Sequence, residues 1–325
     1  MTGEAAQGMR YWKLLAGTAT VLLVMAALGG CATRGTREDN RIRIGLLPIV
    51  DSLPFLVAEE RGYFTAEGLE VKLTIFNSAL ERDNALQAGE IDGAVGDPLA
   101  VATMVQSGLP VKILSVSLGA IPQEGRFAIL TPPGSELDSL EKLKNVEIAI
   151  SPNTIIEYVV DEILTRGGFK PEEIKKQPIT QIPVRFQMLM EGKVKAAALP
   201  DPMATLAVVQ GARLVADDTA ENLSQTVILF REPAFKDREN TLRRMFLAYA
   251  KAVEKINANP EDYRSLLEEK ARLPRGLSQY RIDRFPLPQP PRRQDLERVV
   301  SWMVKKGMLK QPLSYEQLVD DRFVR

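Results

Sequence analysis

The chain has 325 residues, a formal net charge of zero, no histidine and one cysteine. The balanced charge gives no electrostatic reason to expect nucleic acid as a partner. Without histidine there is no histidine base or histidine metal ligand, and one cysteine cannot form an internal disulfide or a cysteine cluster. Phosphate loops, dinucleotide fingerprints and nucleophile elbows are also missing from the sequence. We therefore expect no metal, no cofactor and no catalytic residue.

The first forty residues predict export and a lipid anchor. A short basic stretch precedes an apolar run, residues 14–28, which has the length of a signal-peptide core and is short for a membrane span. The run ends in "LGGC", which resembles the lipobox of bacterial lipoproteins and implies cleavage before Cys31 and lipidation of its thiol. A plain membrane anchor with an incidental cysteine is the alternative. We expect a signal peptide over 1–30, a tether over 31–40 and a protein held at the outer face of the cytoplasmic membrane.

From residue 41 onward, hydrophobic runs that fit strands alternate with stretches that fit helices. Elements that alternate at these lengths indicate parallel sheets covered on both faces. In the first series we expect strands at 41–50, 69–76, 91–96 and 111–117, and helices at 53–64, 78–89 and 97–108. In the second we expect strands at 126–130, 146–150, 175–180, 194–200 and 212–216, helices at 154–168, 183–192 and 201–211, and a turn with a short helix at 131–145.

The last third of the chain has a different pattern. A strand at 223–230 could return to the first part of the fold, and a long amphipathic helix is expected at 239–259. The prolines of 284–293 predict an extended connection. A final helix is expected at 295–309, with Trp302 as a packing residue.

One module occurs twice in the sequence. Residues 85–113 align with residues 188–215, with one extra residue before the second Asp-Pro pair. The shared order is helix, glycine, strand, Asp-Pro, helix, glycine, strand. Two copies are too few for a solenoid, so we expect two similar α/β lobes. The first lobe is predicted to comprise 41–120 together with 222–325, and the second to comprise 121–221.

The loops at one edge of these sheets are the expected ligand site. Ligands of parallel α/β sheets collect beyond the carboxyl ends of the strands, where helix N-termini meet. We expect a shared cleft there between the two lobes. The candidate ligand-binding residues are Asp51, Ser52, Phe55, Ser78, Asp97, Ser117, Asn153, Thr154, Tyr158 and Asp201.

Each candidate also has a simpler structural interpretation. Helix capping alone explains Ser78, Thr154 and the two aspartates of the Asp-Pro pairs, and either Asp51 or Ser52 could cap the helix that follows. The candidate aromatic residues are more often core residues than ligand contacts. Two arginines, Arg82 and Arg126, could pair with an anionic ligand. An arginine that is simply exposed to solvent is the more common case.

Two segments, 45–76 and 85–98, resemble the NMT1/THI5-like solute-binding proteins of ABC transporters, a group that includes SsuA-like and TauA-like proteins. The resemblance extends from about residue 41 to residue 218. It implies an α/β, two-lobed periplasmic-binding-protein-like (type II) fold with a hinge and a central ligand cleft. It also implies a monomer that captures a small molecule and delivers it to an ABC permease and its ATPase.

The ligand class is left open by the resemblance, because such proteins bind nitrate, taurine, alkanesulfonates, thiamine pyrimidine precursors or riboflavin. The cleft loops carry hydroxyls, amides and carboxylates but few cations, which favours a neutral or cationic heterocycle over a sulfonate or nitrate. Helix N-termini alone can also hold an anion. Two other classes of protein stay possible: a sensory binding protein for a membrane receptor, and an enzyme of the same fold such as a dehydratase.

Overall fold

The computed structural model describes residues 39–122, 124–221, 223–236, 238–270 and 280–324. The predicted signal peptide and Cys31 lie outside the described residues, as does most of the predicted tether. Among the helices of the described ranges, none combines the length and the apolar character that a membrane span requires.

Ten strands of the described chain form two sheets of five. They are β1 (Arg41–Leu46), β2 (Glu70–Ile75), β3 (Gly93–Gly96), β4 (Val111–Leu118), β5 (Phe127–Thr131), β6 (Glu147–Ile150), β7 (Lys175–Pro178), β8 (Ala196–Pro200), β9 (Arg213–Asp217) and β10 (Thr226–Arg231). The strand order is β2-β1-β3-β10-β4 in the first sheet and β7-β6-β8-β5-β9 in the second. We call the elements built on the first sheet the first lobe, and those built on the second sheet the second lobe. The lobe boundaries proposed from the sequence stay a prediction.

The helices are α1 (Leu53–Glu60), α2 (Tyr63–Ala66), α3 (Ala79–Ala88), α4 (Pro98–Gln106), α5 (Ile155–Arg166), α6 (Ile182–Met190), α7 (Met203–Val209), α8 (Glu232–Phe235), α9 (Glu239–Ala258), α10 (Arg264–Lys270), α11 (Arg293–Lys305) and α12 (Tyr315–Leu318). Short 3-10 turns lie at Val50–Ser52, Glu141–Leu143, Pro171–Glu173 and Pro260–Tyr263. The short helix expected within 131–145 is therefore reduced to a single 3-10 turn.

The two sheets share one topology, as the duplicated module predicts. In each sheet the first three strands in spatial order are parallel, and the fourth is antiparallel to both of its neighbours. The expectation of purely parallel sheets is wrong at this fourth strand, which is β10 in the first sheet and β5 in the second. Each of these strands reaches its sheet directly from the other sheet, without an intervening helix, and so enters in the opposite direction.

Helix α9 shows how the outer layer is attached to the first lobe. Its buried residues recur at three- and four-residue spacing, which gives one apolar face, and that face packs on α1. The buried residues are Thr241, Leu242, Met245, Phe246, Ala248, Tyr249, Ala252, Val253 and Ile256. The amphipathic pattern that predicted this helix is therefore the pattern that holds it in place.

The two crossovers between the sheets run side by side at Gly119 and Gln225. The Gln225 side-chain amide donates a hydrogen bond to the Gly119 carbonyl at 3.3 Å. Gly119 has a φ of +85°, and a Cβ on it would lie 2.9 Å from the Gln225 Cα. Both the backbone conformation and the close approach require glycine here.

We expect Gly119→Ala to lower the free energy of unfolding by at least about 2 kcal/mol, because left-handed strain and a backbone clash add together. Gly192→Ala is the matched control: its φ is +68°, but no atom lies within 4 Å of the new Cβ. That control should cost only about 1 kcal/mol. Urea unfolding at pH 7 measures both, and equal losses would contradict the close approach.

Candidate functional site

A cavity lies between the two sheets at the carboxyl ends of their parallel strands. Its volume, counted as the space open to the centre of a water molecule, is about 30 Å³, and it is partly open to solvent. Its lining comes from both lobes: Leu47, Ile49, Ala79, Arg82, Val95, Gly96, Asp97 and Thr226 from the first, and Phe127, Ser151, Thr154, Ile155, Ile156, Ile182 and Pro200 from the second. A molecule held there would contact both lobes at once.

Three of the predicted caps are confirmed. Ser78 Oγ accepts a hydrogen bond from the Glu81 backbone N–H, and Asp97 Oδ1 accepts from Ala100 N at 2.9 Å. The Thr154 hydroxyl oxygen accepts from the N–H of the second residue of α5. Asp97 and Thr154 also line the cavity. The N-termini of α4 and α5, with their partial positive charge, therefore lie at the cavity.

Asp201 does not occupy the predicted N-cap position, because helix α7 begins two residues later and Pro202 precedes it. Its carboxylate still accepts from an N–H of the first turn of this helix, Thr205 N at 2.9 Å, and also from Arg126 Nε at 2.8 Å. The extra residue before this Asp-Pro pair shifts the aspartate relative to the helix start. Arg126, one of the two arginines considered for an anionic ligand, is thereby engaged within the second lobe.

The predicted cap at Asp51 or Ser52 is also wrong. Both residues lie in a 3-10 turn, so the backbone at Ser52 is already helical and its side chain makes no cap. Ser52 Oγ donates instead to the Leu47 carbonyl at 2.8 Å. Asp51 is buried, and burial raises the pKa of its carboxyl to about 6, an effect that the neighbouring Thr226 side chain opposes. The Ser52 hydrogen bond stabilises the turn that begins α1.

Two candidate aromatic residues are core residues. Phe55 has no exposed surface and packs against Tyr249, with ring centroids 5.0 Å apart. Tyr158 lies edge-on against Trp302 at 5.5 Å, and burial raises the pKa of its hydroxyl to about 12. The packing role expected of Trp302 is confirmed, and neither candidate lines the cavity.

The remaining two candidates, Ser117 and Asn153, are not among the residues that line the cavity. Ser117, at the end of β4, has its hydroxyl 3.4 Å from the Tyr249 hydroxyl. Asn153 has a φ of +59° and donates its backbone N–H to Glu157 Oε2 at 2.7 Å, which fixes the turn into α5. The assignment of the ten candidates as ligand contacts stays a prediction.

Arg82 is buried, whereas the sequence analysis gave an exposed arginine as the more common case. This side chain on α3 is 1% exposed and lines the cavity. Its Nη1 donates to the Val95 carbonyl at 2.9 Å and its Nε to Asp83 at 2.8 Å. Its Nη2 lies 2.7 Å from the Asp83 carboxylate but has no partner with hydrogen-bond geometry. Arg82 is therefore a buried, ion-paired cation at the cavity whose Nη2 makes no hydrogen bond.

Small residues make room for this guanidinium. A Cβ on Gly96 would lie 3.3 Å from the guanidinium carbon, and one on Gly45 would lie 3.2 Å from the Arg82 Cγ. A larger residue at Gly96 would also meet Leu229 at 2.7 Å. Glycines in β1 and β3, on either side of α3 in the sequence, are the signal that a sequence analysis could have used.

Two hydrogen bonds join the lobes across the mouth of the cavity. The Asn77 carbonyl, before α3, accepts from the Ile182 backbone N–H at 3.1 Å. The Gln181 side-chain amide donates to Glu81 Oε1 at 2.9 Å. Ser78 and Gln181 each stand eleven residues before the glycine that ends the following helix, Gly89 and Gly192. The helix starts that follow β2 and β7 therefore meet directly. The lobes are closed on each other in this structure.

A third contact joins the lobes through α11. This helix packs on α4 of the first lobe. Lys306, at its C-terminal end, reaches the second lobe, where its Nζ lies 3.0 Å from Asp161 Oδ2 on α5. Trp302 of the same helix makes the contact with Tyr158. Helix α11 therefore bridges the two lobes through contacts separate from those at the mouth.

Two α/β lobes of one topology, joined by two crossovers and closed on a cavity, define the two-lobed periplasmic binding protein fold. The pattern described as NMT1/THI5 like matches residues 50–263, more than half of the chain. The chain belongs to the NMT1/THI5-like family, as its motifs predicted. The binding proteins of ABC importers in this family are not enzymes.

Two curated proteins and one solved structure show the range of relatives. The chain is 22% identical over 262 residues to an ABC transporter periplasmic binding protein of Brachyspira hyodysenteriae, covering 75% of this chain and 74% of that one. It is 24% identical over 234 residues to riboflavin-binding protein RibY of Chloroflexus aurantiacus, covering 70% and 65%. The alkanesulfonate-binding protein SsuA from Xanthomonas axonopodis pv. citri, bound to MOPS, superposes with a TM-score of 0.74 at 18% identity, covering 87% and 99%.

We expect Gln181→Glu to open the mouth of the cavity, because it places two carboxylates against each other where the amide now donates to Glu81. Small-angle X-ray scattering should show a larger radius of gyration than for the unchanged protein. The double variant Glu81→Gln with Gln181→Glu restores one donor and one acceptor and should restore the compact value. A radius unchanged in the single variant, or not restored in the double variant, would show that this pair does not hold the lobes together.

Proposed function

We propose that this protein is the lipid-anchored solute-binding component of an ABC importer, and that it captures a small anion between its lobes. The cavity that receives residues from both lobes supports capture by closure, since a ligand that contacts both lobes favours the closed form over the open one. A permease and an ATPase are the partners that such a component requires.

The observation that carries the choice of an anion is the buried guanidinium of Arg82 at the cavity. Its Nη2 makes no hydrogen bond, although it lies 2.7 Å from the Asp83 carboxylate. The N-terminus of α5, and that of α4 with its Asp97 cap, lie at the same cavity. The sequence favoured a neutral or cationic heterocycle because the cleft loops carry few cations. Arg82 lies on helix α3, so that comparison of the loops did not include it. The named ligands of the relatives, an alkanesulfonate in one and riboflavin in another, represent the two alternatives.

Anchoring through Cys31 and a role without catalysis complete the proposal. The lipobox pattern supports the anchor, and the family of importer-binding proteins supports transport over catalysis. A sensory role with the same ligand stays an alternative, which a neighbouring permease gene would argue against.

For the anchor, we expect Cys31→Ala to move the protein from the membrane fraction of the producing bacterium to the soluble fraction, because the thiol that carries the lipid is gone. Fractionation with metabolic labelling by a radioactive fatty acid measures both properties. A variant that still incorporates the fatty acid would exclude Cys31 as the anchor.

For the ligand, we expect nitrate or an alkanesulfonate to raise the melting temperature, with about 2.7 kcal/mol of stabilisation at one hundred times the dissociation constant. Arg82→Gln should abolish this shift because it removes the charge at the cavity. Arg41→Gln is the control, since it removes the same charge from a side chain that is 70% exposed on the same lobe, and it should keep the shift. If no anion, taurine, riboflavin or thiamine pyrimidine shifts the unchanged protein, and none co-purifies, the proposed function is wrong.

A further inference from the structure

A second buried arginine occupies the matching position of the second lobe. Arg82 stands seven residues before Gly89, and Arg185 stands seven residues before Gly192. Arg82 donates to the Val95 carbonyl, and Arg185 Nε donates at 2.7 Å to the carbonyl of Ala198, the equivalent strand residue. The duplication has thus placed one guanidinium under the same strand end in each lobe.

The two arginines differ in their counter-ions. In the first lobe Asp83 follows Arg82 and pairs with it, whereas Phe186 stands at the equivalent place after Arg185. Among the described residues no carboxylate forms an ion pair or a hydrogen bond with Arg185. Its side chain is 0% exposed, and its Nη2 has no hydrogen-bond partner in the described chain.

Burial alone shifts the pKa of Arg185, lowering it to about 9, so the guanidinium stays protonated at neutral pH. The groups that face it from neighbouring elements are uncharged: the Ser151 hydroxyl accepts from Nη1 at 2.9 Å and the Ile179 carbonyl at 2.6 Å. A neutral side chain could donate hydrogen bonds to these oxygens without the cost of burying a charge. The hydrogen bonds therefore do not explain why this buried residue is charged.

The cavity is where a counter-ion could come from. Ser151, which Arg185 holds, lines the cavity together with the first turn of α5. Ser151 Oγ in turn donates to the Thr180 carbonyl at 2.9 Å, so its orientation is fixed on both sides. Arg185 thus adds a positive charge directly behind a cavity wall that already carries the positive end of a helix.

We propose that Arg185 is the positioning residue of the second lobe for an anionic ligand: it fixes Ser151 beside the first turn of α5, and the bound anion balances its charge. This inference rests on the proposed function of the cavity. The anion would then lie between the lobes, with Arg82 on one side and Ser151, held by Arg185, on the other. An anion so placed is attracted to both lobes and favours their closure.

The test measures nitrate and ethanesulfonate affinity by calorimetry at pH 6, 7 and 8, on the unchanged protein, Arg185→Gln and Arg185→Lys. Each variant's profile is compared with that of the unchanged protein, because the pKa of Asp51, beside the lining residue Thr226, is about 6 and its ionisation also affects anion affinity in this range. Arg185→Gln keeps amide donors for the surrounding oxygens but lacks the charge, so its affinity should fall at least tenfold at every pH. Arg185→Lys should bind well at pH 6 and lose affinity towards pH 8, because burial lowers the pKa of a lysine and its charge is lost as the pH rises.

A purely structural role would change affinity without this pH profile. Anion affinity of Arg185→Gln within threefold of the unchanged protein, or a flat profile for Arg185→Lys, overturns the inference; if Arg185→Gln does not fold, the profile of Arg185→Lys decides. If the unchanged protein binds riboflavin but no anion, the role of Arg185 is overturned while solute binding stands. If it binds no probe and carries no small molecule, the proposed function fails as well.

Discussion

The constraint on which this structure depends is the exchange of one strand between its sheets. Strand β10 completes the first sheet and β5 completes the second, and each is reached directly from the other sheet. Neither lobe can complete its sheet without chain that has just left the other. The lobes are therefore connected by two adjacent crossovers, and the strand ends that face each other between the lobes form the cavity. The close contact of Gly119 with Gln225 holds the two crossovers together.

The duplication explains both what the lobes share and how they divide their roles. Matching helices follow β2 in the first lobe and β7 in the second, and each carries a buried arginine that donates to a strand carbonyl. The copies then diverge in the contacts around these helices. Ser78 caps its helix while Gln181 reaches across the mouth, and Asp83 forms an ion pair with its arginine while Phe186 cannot. Divergence at these few positions turns two similar lobes into two unequal sides of one cavity.

Local signals in the sequence predicted much of the fold. The caps at Ser78 and Thr154 depend on residues within the same helical turn, and the alternation of strands and helices depends on hydrophobic period, so both are visible without tertiary structure. The direction of β5 and β10 is not local, because it depends on which sheet the chain has left. The pairing of Arg126 with Asp201 joins residues 75 apart in sequence, and no spacing pattern announces it.

The site was harder to predict than the fold because its charges lie beneath the loops. A periodic pattern assigns a charged residue of an amphipathic helix to solvent, yet Arg82 and Arg185 are both buried. The lining loops contribute Asp97, so a count restricted to loops favours a cation as ligand, whereas the residues below them favour an anion. The composition does not reveal the two arginines either. A net charge of zero is a sum over the whole chain, whereas a buried charge acts over a few ångströms.

A buried charge without a counter-ion connects ligand choice with closure. In an open form water can reach the cavity wall in front of Arg185, whereas closure removes that water and makes the isolated charge more costly. An anion that enters before closure replaces the lost solvation, so the closed form becomes favourable when the cavity is filled with a ligand of the right charge. On this argument the mouth contacts and the Lys306 contact need contribute only modestly, because the ligand itself supplies the difference between the open and closed forms. Selectivity and conformational change then have the same physical origin.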